Sequence, residues 1–233
     1  MLTAPTLDKL QSLKLDAMAH AWTEQQQHAA LTSLGFDERF GLLVDAEWLA
    51  RDHKRVTRAL KEAKLKLPHA CLEAIDYPAR RELDKAVIRQ LATCRWVQEH
   101  HNVILVGATG TGKSFVACAL AAHACRKGFR AYYRRAPRLF HDLTLARADG
   151  TYVRLLGKLA RVDVLLIDDW GLAPVTDQER RDLLEILEDR YGDRAPPSSR
   201  ASCRRPSGTT TSPTPPWPTP SAIASSTTPT ASC

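Results

Sequence analysis

Residues Asn102–Phe115, "NVILVGATGTGKSF", decide how the rest of the chain is read. The run "NVILVG" at its start, from Asn102, predicts a buried strand. A loop follows in which Gly107, Ala108, Thr109, Gly110, Thr111, Gly112, Lys113 and Ser114 fit the pattern G-x-x-x-x-G-K-[ST]. Its glycines let the backbone fold around an anion, so that N–H groups turn inward. The stretch "SFVACALAAHACRKG" is predicted as a helix that opens at the loop and stops at Gly128. The start of a helix adds unpaired N–H groups and a positive dipole end to the same anion. Lys113 supplies a movable charge for β- and γ-phosphates, and Ser114 a small oxygen ligand for a divalent ion. The pattern therefore predicts ATP with Mg²⁺ as the bound species.

A second stretch supplies the acid such a site needs. In "VLLIDD", four apolar residues, Val164 to Ile167, end in Asp168 and Asp169. A strand buried on both faces delivers a carboxylate to its C-terminal edge, where ligands bind in open α/β sheets. Asp168 is placed to hold Mg²⁺, and Asp169 to polarise an attacking water. Lys113, Asp168 and Asp169 are thus the candidate catalytic residues.

Outward from these motifs the chain falls into four zones. Residues 1–67 read as helices, with Thr6 and Asp16 as candidate N-caps and a long helical run up to Pro68. On that run Val56, Ala59, Leu60, Ala63 and Leu67 share one face, and Arg51, Lys54, Arg55, Arg58 and Lys61 the opposite one. The second face is nearly all one sign, with Asp52 and Glu62 the only acids between Arg51 and Leu67, and is read as a contact for the phosphates of double-stranded DNA. Residues 68–101 read as a connector. Residues 102–194 alternate strands and helices, which predicts an α/β parallel sheet with flanking helices, preceded by the small all-α domain. "FRAYYRR" and "VDVLLIDD" are strands. "PRLFHDLTLARADG", "TYVRLLGKLAR" and "TDQERRDLLEILEDRYG" are helices, the last opening with the capping pair Thr176 and Glu179.

The formal net charge of +7 points weakly to a polyanionic partner, and ten basic residues against two acids between Arg126 and Arg161 could extend that surface. No apolar run approaches the roughly 20 residues that span a bilayer. The first residues lack the order of an export signal. Six scattered cysteines form neither C-x-x-C pairs nor zinc spacings, so reduced thiols in a cytoplasm are expected.

With both motifs placed, the chain resembles the IstB-like ATP-binding proteins, helper ATPases encoded beside the transposase of bacterial insertion sequences. These are similar to DnaC-type helicase loaders within the AAA+ group of P-loop NTPases. The likeness covers residues 1 to about 194. It rests on the loop and its helix, on "RAPRLFHDLTLARADG", "LLIDDWGLAP" and "ERRDLLEILEDRYGDR", and on "FDERFGLLVDAEW". Trp170-Gly171 after the acids is a marked signature of the family, more specific than the loop. The resemblance implies a DNA-binding helical domain, ATP-dependent homo-oligomerisation on DNA and stimulation of a cognate transposase. It carries Gly107–Ser114 over as the nucleotide loop and Asp168 as the magnesium acid. It also sets Arg190 and Arg194 near subunit contacts, with helix-end charges the commoner explanation, and Tyr77-Pro78 near adenine, with a plain surface turn the equal alternative. A helicase loader in replication and an inactive DNA-binding remnant are the alternatives.

Residues 195–233 depart from the family. Of these 39 residues 26 are Pro, Ser or Thr, none is acidic, and Trp217 and Ile223 are the only large apolar side chains. Such a segment cannot bury enough to offset its ordering entropy, so disorder is expected. The composition suits GC-rich coding sequence read off-frame. The family continues instead with a strand carrying a γ-phosphate sensor, placed between the strand of Asp168 and that of the loop, and then a helical lid with a trans-acting arginine. Their replacement predicts a truncated core, impaired folding and little ATPase activity.

Overall fold

The computed structural model describes residues 3–28, 31, 33–77, 83–171 and 174–192. They lie in one compact unit, Met1–Arg194; the proline-rich tail lies outside the described residues. The opening helices are α1, Thr3–Ser12, α2, Asp16–Gln27, and α3, Phe36–Ala63. Thr6 falls inside α1, and Leu15 rather than Asp16 takes the cap position of α2. The reason is tertiary. Glu47 of α3 accepts hydrogen bonds from Ala17 N (3.1 Å) and Met18 N (3.2 Å), so the start of α2 is capped from another helix. The helix expected to run to Pro68 stops at Ala63, because Lys64 turns into the left-handed region at φ 51° and brings Leu65 into the core.

Residues 68–101 hold a 3-10 turn at Leu72–Ala74 and two short helices, α4, Lys85–Ala92, and α5, Arg95–Gln98. Ile88, Cys94 and Val97 of this segment share a core with the loop helix α6, Lys113–Arg126. Gly128 ends α6 as expected: at φ 100° it donates to Cys125 O at 3.1 Å, and Phe129 N closes on Ala124 O at 3.0 Å.

Then follow β1, Ala131–Arg135, α7, Ala136–Ala148, α8, Tyr152–Arg161, β2, Val164–Asp168, and α9, Asp177–Gly192. Glu179 N bonds back to Thr176 Oγ1 at 3.3 Å while Thr176 N donates to Glu179 Oε2 at 2.8 Å, the reciprocal pairing of a capping box. The strands β1 and β2 pair in parallel, with Ala131 opposite Val164 and Arg135 opposite Asp168. Successive strand residues point to opposite faces. Ala131, Tyr133, Val164 and Leu166 pack with α6, and Ala63 and Leu65 at the end of α3 join that core. Tyr132, Leu165 and Ile167 face the second core, formed by Leu139, Phe140 and Leu143 of α7, Leu156 and Leu159 of α8 and Ile186 of α9. Helices cover both faces of a parallel sheet, the arrangement expected of an α/β P-loop protein.

One element differs. Asn102–Val106 forms no ladder with any strand among the described residues. Leu105 rests on the α6 core, but Ile104 is 83% exposed and Val106 89%. The alternation of a strand is therefore present without its neighbour. A buried strand needs ladder partners and two covered faces, and this stretch has one covered face.

Candidate functional site

The loop Gly107–Gly112 lies open to solvent between its apolar lead-in and α6. Gly110 (φ 84°) and Gly112 (φ 91°) take backbone angles that favour glycine, and Gly112 is the residue that turns the chain into α6. Thr111 Oγ1 donates to Ala108 O at 2.9 Å and steadies the turn. Thr109 and Ala108 are exposed at the rim. Lys113 folds back over the loop, donating to Gly107 O at 2.8 Å and Ala108 O at 2.6 Å. Its ammonium thus lies against the carbonyls of the loop itself.

Ser114, in the first turn of α6, points at the end of β2. Its hydroxyl is 2.8 Å from Asp168 Oδ2 and 3.0 Å from Oδ1. Three further groups converge on the same carboxylate: Tyr133 OH (3.0 Å), Asp169 N (2.9 Å) and Lys66 Nζ (3.5 Å). Burial alone would push the Asp168 carboxyl up. The bonds from Ser114, Asp169 N–H and Tyr133, with the Lys66 charge, outweigh burial and hold it below the usual aspartate range. Burial, then the Asp168 carboxylate, pushes the Tyr133 hydroxyl well above the usual tyrosine range, so it stays a neutral donor.

A hydroxyl and an ionised carboxylate in contact are hard oxygen ligands, and Mg²⁺ takes only one or two such groups from a protein. Among the described residues no cluster of three His, Cys, Asp or Glu side chains offers a site for a softer metal. The pair Ser114 and Asp168 fits Mg²⁺. Asp169 sits at φ 57° and is ion-paired with Arg135. That pairing engages Oδ2 of the second acid at the end of β1.

The basic face of α3 is solvent-exposed, but three of its five cations are engaged. Arg51 pairs with Glu47 (2.7 Å), Arg55 with Asp52 (2.7 Å) and Arg58 with Glu62 (2.8 Å). Arg55 also reaches Arg126 O at 3.4 Å, tying α3 to the end of α6. Among the described residues Lys54 and Lys61 form no ion pair. A cleft of about 850 Å³ beside β1 gathers Lys64, Arg130, Arg154, Lys158 and Arg161 with the acids Glu62, Asp142 and Asp149. The basic stretch noted in the sequence is thus partly neutralised too. Arg190 caps α8, donating to Leu159 O and Val162 O at 2.8 Å and to Asp163 O at 3.2 Å. Tyr77 packs on the α6 core under Lys85, while Pro78 and Arg194 lie outside the described residues. Trp170 leans on Phe140 of α7, with ring centroids 6.1 Å apart.

Fold and site together define an α/β P-loop protein with an all-α leader. The sequence pattern of the IstB-like ATP-binding proteins matches residues 8–196, and the chain belongs to that family. An ATP-binding protein of insertion sequence IS1162 from Pseudomonas fluorescens is 49% identical over 234 residues, covering all of both chains. An insertion-sequence ATP-binding protein of Sinorhizobium fredii is 45% identical over 195 residues, 84% of this chain and 79% of the relative. The IS21 ATP-binding protein of Pseudomonas aeruginosa is 29% identical over 182 residues, 78% of this chain and 68% of the relative. The family match ends close to the composition break at residue 194. The Pseudomonas fluorescens alignment runs on through residues 195–233. Among the described residues no helix is long and apolar enough to cross a membrane.

Proposed function

We propose that the chain binds ATP with Mg²⁺ and, as a cytoplasmic homo-oligomer on double-stranded DNA, assists the transposase of its insertion sequence. The observation that carries the nucleotide reading is the 2.8 Å contact between Ser114 and Asp168, residues 54 apart in sequence that meet beside the phosphate loop. Lys113 would leave the Gly107 and Ala108 carbonyls for the β- and γ-phosphates, and the loop N–H groups would take the remaining phosphate oxygens. Ser114 and Asp168 would hold Mg²⁺, which when bound neutralises phosphate charge. Tyr133 would keep Asp168 oriented. Lys54, Lys61 and the cleft beside β1 are the groups best placed to meet DNA phosphates. The names of the relatives support the link to insertion sequences.

The unladdered stretch Asn102–Val106 favours a narrower version: a chain that holds ATP but turns it over slowly. The loop is then anchored on α6 and less firmly on the sheet. Equilibrium binding of a fluorescent ATP analogue, with and without Mg²⁺, tests the reading. Lys113→Ala should weaken binding about tenfold or more, the worth of a charge-assisted contact to phosphate. Asp168→Asn should remove the Mg²⁺ dependence and leave metal-free binding in place. Binding that is indifferent to both changes sinks the reading. DNA affinity that falls steeply with salt, and weakens in Lys54→Ala with Lys61→Ala, tests the DNA contact separately.

A further inference from the structure

Of the four groups that converge on Asp168, three are neutral donors: the hydroxyls of Ser114 and Tyr133 and the N–H of Asp169. The fourth, Lys66, is a cation, and it comes from outside both sequence motifs. Its position is built. The chain leaves α3 at Ala63 and turns at Lys64, after which Leu65 is buried and Leu67 packs against the same core. Held on both sides, the segment presents the Lys66 side chain to the end of β2, with Nζ 3.5 Å from Asp168 Oδ2. The two partners differ in freedom. The Asp168 side chain is 15% exposed and fixed by its other bonds, whereas that of Lys66 is 44% exposed and can swing into water without opening the core.

We propose that Lys66 is the resident cation of the Asp168 site: it neutralises the carboxylate while no divalent ion is bound, and must leave when one binds. The inference rests on reading Ser114 and Asp168 as the oxygens that hold Mg²⁺. The three neutral donors can keep their bonds to a carboxylate that also serves a metal. An ammonium a few ångströms from a divalent ion cannot, because like charges at that distance repel even in a solvated site. Exchange of one cation for the other keeps the partly buried acid compensated at every stage, which avoids the cost of an unpaired charge. It also has a reach beyond the site. Lys66 lies three residues past the last residue of α3, in the same basic segment as Lys61 and Lys64. Its release adds a free positive charge to the part of the chain proposed to meet DNA, so the cation state of the nucleotide site is signalled to α3.

Mn²⁺, titrated into the nucleotide-free full chain and followed by its paramagnetic resonance signal, provides the test. Lys66→Met should bind Mn²⁺ about two- to fivefold more tightly than the wild type, the range of a partly exposed ion pair. Lys66→Arg, which keeps the charge, should stay near the wild-type value. In the unaltered chain, acetylation of Lys66 by an amine-reactive reagent, read by mass spectrometry, should rise when Mn²⁺ is added. Equal Mn²⁺ affinity in wild type and Lys66→Met, or unchanged Lys66 reactivity, overturns the proposal. Asp168→Asn separates the two levels of the argument. If it abolishes Mn²⁺ binding while Lys66→Met changes nothing, Lys66 alone is misassigned. If it leaves Mn²⁺ binding intact, the assignment of Asp168 fails, and that of Lys66 with it.

Discussion

Glu47 shows how much one side chain can organise. Its carboxylate caps the start of α2 through Ala17 N and Met18 N and pairs with Arg51, so a single residue of α3 fixes the hairpin of the first helices. The Arg51 hydrogen bond, against the opposing effect of burial and aided by the two backbone N–H groups, holds its carboxyl below the usual glutamate range. A carboxylate whose folded pKa is depressed contributes stability above its unfolded pKa and loses it as pH falls through the folded value. The α2–α3 contact should therefore weaken on acidification below the ordinary glutamate range. Glu47→Gln should cost about 1 kcal/mol at neutral pH and flatten that acid dependence, as read by urea unfolding at several pH values. Residue roles of this kind were hidden in the sequence. The meeting of Ser114 with Asp168 was legible because a local spacing marks each of the two motifs. Glu47, Tyr133 and Lys66 act through partners 29 to 102 positions away, and no short pattern marks them.

Helices and strands were legible where their own residues decide them. The period of α3, the glycine stop of α6 and the Thr176–Glu179 start of α9 are local devices, and each appears where the sequence puts it. The end of α3 does not, since Lys64 in the left-handed region is chosen by the burial of Leu65 rather than by its own preference. Lysine is strained at φ 51° where glycine is not. Lys64→Gly should raise stability by up to about 1 kcal/mol in chemical denaturation, and a loss would show that the lysine side chain contributes more than its backbone strain costs. The strand expected at Asn102–Val106 fails for a different reason: strandedness belongs to a pair of segments, and its partner is not among the described residues.

For the whole molecule the layered α/β arrangement was legible from the alternation of strand and helix, whereas the one-sided cover of Asn102–Val106, which leaves Ile104 and Val106 exposed, was not. Two adjacent side chains exposed on an unladdered stretch make an adhesive site. Replacing both with threonine should lower binding of a hydrophobic dye and slow self-association in light scattering, while leaving the fold intact by circular dichroism. An unchanged dye signal would place the sticky surface elsewhere, with α3, where Phe36 and Trp48 are also exposed, the next place to look. The two cores, by contrast, are bound to one fate. Tyr132 and Tyr133 are consecutive in the chain yet belong to opposite cores, and among the described residues five of β1 and five of β2 form the wall between them. Any opening that frees one tyrosine pulls on the peptide that seats the other. The amide protons bonded in the ladder between β1 and β2 should consequently exchange with solvent only through global unfolding, the slowest in the molecule, while those of α1 and the loop Gly107–Gly112 turn over far sooner.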